Sequence, residues 1–544
     1  GNRMTQVQQF ERQTKALIDD LKTVSGEHGL GNDGNEFKII TQVFLYKFLN
    51  DKFIYEVKKI AADVASADNV EEALNAYSDD DYEMLMMQLG ESTAQISPDQ
   101  FISSLFTRQN EPNFADLFDK TLIDVARNNS GIFSAVTNGG VKIALFEDVS
   151  NYVRDDRDGF CRAVINKLVG FSFENIFDEK FDFYAGIFEY LIKDYNSNSG
   201  GKYAEYFTPH SVAKVMARCL VSGEVNNVTC YDPSAGSGTL LMNLAHEIGE
   251  DKCAIYSQDI SQKSSGLLRL NLILNDLVHS IPNIVQGNTI LDPYHKTASG
   301  DFQKFDYIVA NPPFNLDFSS YRDQLDSTHN HARFFAGIPN IPPKKKKGMA
   351  IYTLFMQHII HCLDDAGKAA IVVPTGFLTA GGIYKKIRQK LVGEKMLSGA
   401  ISMPSNIFAA TGTNVSIIFI DKANTKTDDI VLIDASNLGE TVKEGGNQKT
   451  LLSNLDEQQI IDTFTVKEAL DDFSAVVSYE DISAKNYSLS AGQYFEVNIE
   501  HIDISKEEFE CQLGQFELNL NELSFKSDEL TAQIHEGLKS LSYE

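Results

Sequence analysis

Two short segments carry residue types that could do chemistry on a weakly nucleophilic nitrogen. The first is Asn311-Pro312-Pro313-Phe314. An amine attached to an aromatic ring is a poor nucleophile, because its lone pair is delocalised into the ring. Two acceptors, the Asn311 side-chain oxygen and the Pro312 carbonyl, could each take one of its N–H protons. That arrangement favours a tetrahedral nitrogen with its lone pair aimed at an electrophile. Pro312 and Pro313 fix φ and stiffen the segment, so its carbonyls are aimed in advance. Phe314 offers a face on which an extruded base can stack. No covalent intermediate is needed, in keeping with the absence of a placed cysteine nucleophile.

The second segment is Asp232-Pro233-Ser234-Ala235-Gly236-Ser237-Gly238-Thr239. It follows a predicted strand and opens a predicted helix. Gly236 and Gly238 permit a tight turn and a close approach of backbone to ligand. Loops of this kind also bind dinucleotides, and a purely structural turn is the other reading. Asp232 at the strand end can accept hydrogen bonds from a cationic amine, which suits the methionine part of S-adenosylmethionine better than a pyrophosphate. Ser234 and Thr239 belong to the same candidate cofactor-binding set. Asp259, at the end of the next strand, is placed to hold ribose hydroxyls. Aligned attack on a sulfonium methyl would supply the rest of the rate.

These segments need a scaffold that brings strand ends together. From about 205 to 440, short apolar runs rich in β-branched residues alternate with amphipathic ones, the pattern of a parallel sheet with helices on its faces. The predicted strands are 228–231, 254–258, 284–286, 307–310, 369–373, 398–402 and 415–420. Helical patterns lie at 239–248, 264–275, 351–363 and 383–391. The expected fold is α/β, a Rossmann-like seven-stranded sheet whose ligands sit beyond the carboxyl ends of its strands. Residues 1–165 read as a helical domain, with Phe37, Ile40, Phe44, Phe48 and Phe53 at near-helical spacing and 141–149 continuing the pattern. Residues 166–440 form the catalytic domain. Residues 441–544 form an extension, and 196–201, Asn-Ser-Asn-Ser-Gly-Gly, read as a flexible, polar connector. In its last stretch, Phe509, Leu513, Phe516, Leu520 and Leu523, then Leu530, Ile534, Leu538 and Leu541, keep a four-three spacing that argues for a coiled-coil or docking helix. A helix packed on its own domain is the alternative.

Composition limits the partners. The 544 residues carry 48 Lys+Arg against 76 Asp+Glu, a net charge of −28. That is the wrong sign for tight, unaided binding to a polyanion. Positive charge must be concentrated locally, as at Lys344, Lys345, Lys346 and Lys347, or borrowed from a partner. Those lysines could grip phosphates near an extruded base, or form a solvated loop with no contact. The six cysteines are scattered without metal-ligand spacing and read as reduced thiols of a cytosolic protein. His358 and His361 lie one helical turn apart without a nearby carboxylate, so no metal site is expected. No stretch is apolar enough to span a bilayer.

Phe207-Thr208-Pro209, then residues 232–238, then 311–314, resemble the ordered motifs of γ-class amino-methyltransferases. More closely, residues from about 165 to 425 are similar to the modification subunit of type I restriction-modification systems. Residues 373–377, Ile387-Arg388 and 403–408 add to the likeness. The resemblance implies a site-specific DNA methyltransferase acting on N6 of adenine, with S-adenosylmethionine as cofactor. It implies that Phe207, Thr208 and Pro209 contact the cofactor and that Asp259 binds its ribose, where the family usually has Glu. Asn288, in the Gly287-Asn288-Thr289 segment, stands where the family often has Asp and would pair with the cofactor's adenine edge. It further implies double-stranded DNA as substrate, and a complex of two such chains with a specificity subunit and optionally a restriction subunit. Adenine over the N4 amine of cytosine rests partly on this resemblance. An amino-methyltransferase for rRNA or a protein glutamine predicts a compact chain without the helical domain or the terminal helix. A non-catalytic scaffold is opposed by the intact 311–314 segment and glycine loop. No Walker-type loop marks a fused motor.

Overall fold

A computed structural model describes residues 5–31, 34–179, 181–197, 207–408, 412–423, 427–444, 446–495 and 505–539. The chain forms two compact units, Gly1–Phe495 and Glu496–Glu544.

In the first unit, helices Gln6–Glu27, Gly34–Ile60, Phe114–Asn128 and Arg157–Val169 precede the main sheet. Helix Gly34–Ile60 buries Phe37, Ile40, Phe44, Phe48 and Phe53, the residues whose spacing marks it in the sequence. Burial of each such side chain is worth roughly 1.5–3 kcal/mol. Phe44 and Phe48 both meet Phe173 edge-on at 5.5 Å. Residues 141–149 are not helical. Ala135–Thr137 (β1) and Lys142–Ile143 (β2) form an antiparallel hairpin. The turn between them is Asn138-Gly139-Gly140, and Gly140 has φ +79°, a backbone that favours glycine. The connector at 196–201 begins as the end of helix Phe181–Ser197; residues 198–201 lie outside the described residues.

The strands that follow are Val228–Asp232 (β3), Cys253–Asp259 (β4), Ile284–Gln286 (β5), Phe305–Ala310 (β6), Leu363–Pro374 (β7), Leu397–Ser402 (β8), Val415–Asp421 (β9), Ile430–Asp434 (β10), Glu440–Glu444 (β11), Asn447–Leu451 (β12) and Ser474–Val477 (β13). β11 and β12 pair only with each other, and the other strands form one eleven-stranded sheet in the order β13-β10-β8-β9-β7-β6-β3-β4-β5-β1-β2. All seven predicted strands are present. The sheet is wider than seven strands because β1 and β2 extend one edge, and β10 and β13 the other. It is also mixed: β9 runs antiparallel between β7 and β8. Among the described residues no helix joins β8 to β9, and without a crossover helix a reversal is the available connection.

The central strands are buried on both faces, which is why they read as apolar runs rather than alternating ones. Tyr307 and Val309 of β6 face the core shared with the N-terminal helices, while Phe305, Ile308 and Ala310 face helix Tyr352–Cys362 and its neighbours. Arg269, buried on helix Gln262–Leu274, donates to the carbonyls of Phe133, Ile143 and Ala144, tying the N-terminal segment to the sheet.

The second unit is described as one helix, Lys506–Lys539. Ser505 caps it, its hydroxyl accepting from the Glu508 N–H at 3.1 Å. Phe509, Leu513, Phe516, Leu520, Leu523, Leu530, Ile534 and Leu538 are all exposed. Leu541 lies outside the described residues.

Candidate active site

The strand order reverses between β3 and its neighbours β4 and β6, the place where open α/β sheets leave a crevice. β3 and β6 run parallel, with Cys230 opposite Tyr307 and Tyr231 opposite Ile308. This register brings Asp232, the last residue of β3, alongside the end of β6, from which Asn311 emerges.

The glycine loop is held at several points. Ser234 N–H donates to Asp232 Oδ1 at 2.9 Å, and Gly236 N–H donates to Asp259 Oδ2 at 2.9 Å. Asn271 Nδ2 donates to the Ser237 carbonyl at 3.1 Å. Gly238 has φ +88°, and a Cβ there would stand 2.2 Å from Leu268 Cδ1. The positive φ favours glycine where helix Thr239–Ile248 starts, and a Cβ would also displace Leu268 of helix Gln262–Leu274.

Thr208, Asp232, Ser234, Thr239 and Asn311 meet around one small polar cleft of about 10 Å³, together with Ala235, Ser237 and Leu240. Thr208, Asp232 and Asn311 are buried. Asn311 Nδ2 donates to Thr208 Oγ1 at 3.1 Å, a bond between residues 103 apart in sequence. With its nitrogen so engaged, Asn311 has its Oδ1 unpaired among the described residues, and no described donor bonds the Pro312 carbonyl. Phe314 is half-buried, edge-on to Tyr352 at 6.0 Å. Tyr352 in turn stacks on Tyr384 at 6.0 Å.

Asp232 is a buried carboxyl without a cation beside it among the described residues. Burial pushes its carboxyl well above the usual range, the Ser234 N–H opposes that, and Asp259 adds to it. Among the described residues no Lys, Arg or His pairs with it. A buried carboxylate of this kind fits an ammonium ligand, which would supply the missing charge. At about 10 Å³ the cleft is far below the ~300–1,000 Å³ of typical small-molecule sites, so by itself it does not enclose S-adenosylmethionine.

Other candidates stand outside the cleft. Asp259 closes β4 half-buried, its Oδ1 accepting from Ser261 N–H at 2.8 Å. Burial raises its carboxyl also, against the bonds from Ser261 and Gly236. Asn288, just past β5, spends its Oδ1 on the N–H groups of Ile290 and Leu291, at 3.1 and 3.0 Å. Phe207 packs on the core, and Pro209 is the N-cap of helix His210–Leu220. Pro313 is half-buried and Pro312 buried. Among the described residues there is no group of three potential metal ligands.

Sequence reasoning missed Asn138. A Cβ on Gly287 would stand 2.0 Å from Asn138 Oδ1, which accepts from Gln258 Nε2 at 2.9 Å. The N-terminal hairpin therefore abuts the 287–289 segment. Its Asn-Gly-Gly turn between β-branched residues was the available signal. Also missed was the buried Tyr231 hydroxyl, 3.0 Å from His358 Nε2, behind the site.

A family model for N-6 DNA methylases matches residues 179–502, more than half of the chain. The chain belongs to the N-6 DNA methylase family. It is 29% identical over 331 residues to the methylase subunit of the type I restriction enzyme MpnII of Mycoplasma pneumoniae, covering 59% of each. It therefore matches less than two thirds of that protein. To the MjaIX methylase subunit of Methanocaldococcus jannaschii it is 26% identical over 396 residues, 70% of this chain and 67% of that one. Its fold is that of a type I restriction-modification methyltransferase subunit from Streptococcus thermophilus, with a TM-score of 0.70 at 21% identity, covering 90% of this chain and 100% of that one. Membership agrees with the α/β methyltransferase sheet, with S-adenosylmethionine as cofactor and with adenine N6 chemistry. Among the described residues no helix is long and apolar enough to cross a membrane.

Proposed function

We propose that this N-6 DNA methylase family member is the modification subunit of a type I restriction-modification complex, transferring a methyl group from S-adenosylmethionine to N6 of adenine in double-stranded DNA. It works in the cytoplasm, two copies joining a specificity subunit that reads sequence and, where present, a restriction subunit. Division of labour of this kind answers the charge of −28, since the catalytic chain need not hold DNA alone. Residues 1–165 serve as a helical accessory domain, 166–440 as the catalytic domain and 441–544 as the assembly extension.

One observation carries the reading: a buried Asn311 amide, anchored through its nitrogen, with an unpaired Oδ1 in a cleft shared with the uncompensated Asp232. Asp232 binds the ammonium of the cofactor's methionine part. Ser234 and Thr239 line that end, and Phe207 and Pro209 flank Thr208. Asp259 and Asn288, at the ends of β4 and β5, take the nucleoside end. S-adenosylmethionine, when bound, supplies an electrophilic sulfonium methyl. Asn311 Oδ1 and the Pro312 carbonyl accept the two N–H bonds of the adenine amine and turn its lone pair toward that carbon. Pro313 stiffens the turn, and Phe314 stacks on the extruded base. A proton leaves the nitrogen after transfer, so no strong base is required of the site.

Asn311→Ala, assembled with the products of the neighbouring genes, should abolish methyl transfer while leaving S-adenosylmethionine binding intact. Mapping modified bases in DNA exposed to the wild-type complex distinguishes N6-methyladenine from N4-methylcytosine. Wild-type turnover by the Asn311 variant would refute the assignment.

A further inference from the structure

Lys344, Lys345, Lys346 and Lys347 are the chain's one run of four consecutive cations, and all four are exposed. None is ion-paired among the described residues. Three of the four basic side chains of helix Ile383–Gly393 are engaged, and Lys386 is exposed. On helix Ile383–Gly393, Arg388 donates to the carbonyls of Tyr487 and Phe377, Lys385 donates to Asn486, and Lys390 pairs with Glu394 at 3.0 Å.

The run is anchored to the reaction centre by backbone. Leu316 N–H, two residues past Phe314, donates to the Met349 carbonyl, two residues past Lys347, at 3.0 Å. Tyr352 N–H reaches the Phe314 carbonyl at 3.4 Å. Two residues of chain on each side of the Leu316 bond keep the Cα of Lys347 within roughly 20 Å of that of Phe314. The segment is shaped as well as tethered: Lys345 has φ +61°, and a 3-10 turn covers Lys346–Gly348. Gly348 N–H donates to the Lys345 carbonyl at 2.9 Å. Asp317 lies within the segment's field: that carboxyl sits below the usual range, first through Ser319 and further through Lys346 and Lys347. One fully exposed carboxylate does not cancel four ammonium groups.

We propose that the loop at 344–347 is this chain's contact with the DNA phosphate backbone beside the extruded base. The proposal rests on the methyltransferase reading above and assigns the local positive charge that an acidic chain requires. The loop adds affinity without reading sequence, because ammonium groups contact phosphates whatever the base. Four closely spaced point charges suit a flexible strand bent away from the duplex better than a planar, bidentate acceptor.

The test is the salt dependence of DNA binding by the assembled complex, measured by fluorescence anisotropy on a fluorescent duplex between 50 and 200 mM salt. Each phosphate contact contributes about 0.9 to the slope of log affinity against log salt, about threefold over that range. With all four lysines replaced by Gln, the slope should fall by about 0.9 or more per chain, the affinities of variant and wild type converging at high salt. With all four replaced by Arg, the slope should stay at the wild-type value. An unchanged slope in the Gln variant overturns the loop contact while leaving the methyltransferase reading intact, since the wild-type complex still methylates. So does altered subunit assembly with an unchanged slope, which would place an acidic protein surface there instead. If the wild-type complex transfers no methyl group to DNA, the reading of the site fails and takes this inference with it.

Discussion

Thr208→Val isolates the hydrogen bond on which the orientation of Asn311 depends. Valine matches threonine in shape, so the buried packing survives and only the Oγ1 acceptor is lost. In the native site Asn311 Nδ2 donates to that oxygen at 3.1 Å, which fixes the amide with Oδ1 unpaired. Without the acceptor nothing holds Nδ2 inward, so the amide is free to turn over and set Nδ2 rather than Oδ1 toward the incoming amine, a donor set against donors. A buried polar group left without its partner costs about 1–3 kcal/mol. If that cost falls on the reacting arrangement, kcat drops by about 5- to 150-fold, at 1.36 kcal/mol per decade. S-adenosylmethionine affinity should fall as well, since Thr208 lines the cofactor cleft, but by less than kcat, because Asp232 and the glycine loop are untouched. Thr208→Ser, which restores the oxygen, should recover most of the rate. Single-turnover methylation of a duplex by the assembled complex, with cofactor affinity measured separately by calorimetry, reads both. Wild-type kcat in the valine variant, or failure of serine to rescue a slow one, would show that Thr208 does not position Asn311.

Asp232→Asn should move two observables in opposite directions. Burial raises the folded-state pKa of Asp232, so its ionised form costs stability; that cost begins as pH rises past the unfolded value of about 3.9 and grows up to the folded value. The cofactor-free variant should therefore melt higher than wild type at neutral pH, with the gain vanishing below about pH 4. Its S-adenosylmethionine affinity should fall by about tenfold or more, the loss of a charge-assisted hydrogen bond. A melting temperature equal to wild type at pH 7 would mean that the carboxylate finds a cation in solution. Gly238→Ala forces φ +88° on a residue with a Cβ and sets that atom against Leu268, so urea unfolding should show a loss of about 1–3 kcal/mol. An unchanged midpoint would show that the loop relaxes without strain.

The seven strands from 228 to 420 were legible because each is apolar, β-branched and bounded by turn residues. The edges were not. β1 and β2 are too short to show a period, and β10 and β13 join the sheet through partners distant in sequence, which local patterning cannot register. The reversal of β9 was hidden for the same reason: an apolar strand reads alike in either direction. At the site, Asn311, Asp232 and the two glycines announced themselves by residue type and by their place at strand ends. The bond between Thr208 and Asn311 did not, nor did the approach of Asn138 to Gly287.

Residue chemistry by itself determined that the chain has a rigid pair of acceptors on one strand end and a ligand loop on another, in an α/β frame. The tertiary structure decided that they face one cleft. Parallel pairing of β3 with β6 places two strand ends side by side, and helix packing behind Gly238 sets the loop's height. Both depend on which surfaces bury each other across the whole chain, a cooperative choice that spacing along the sequence does not encode.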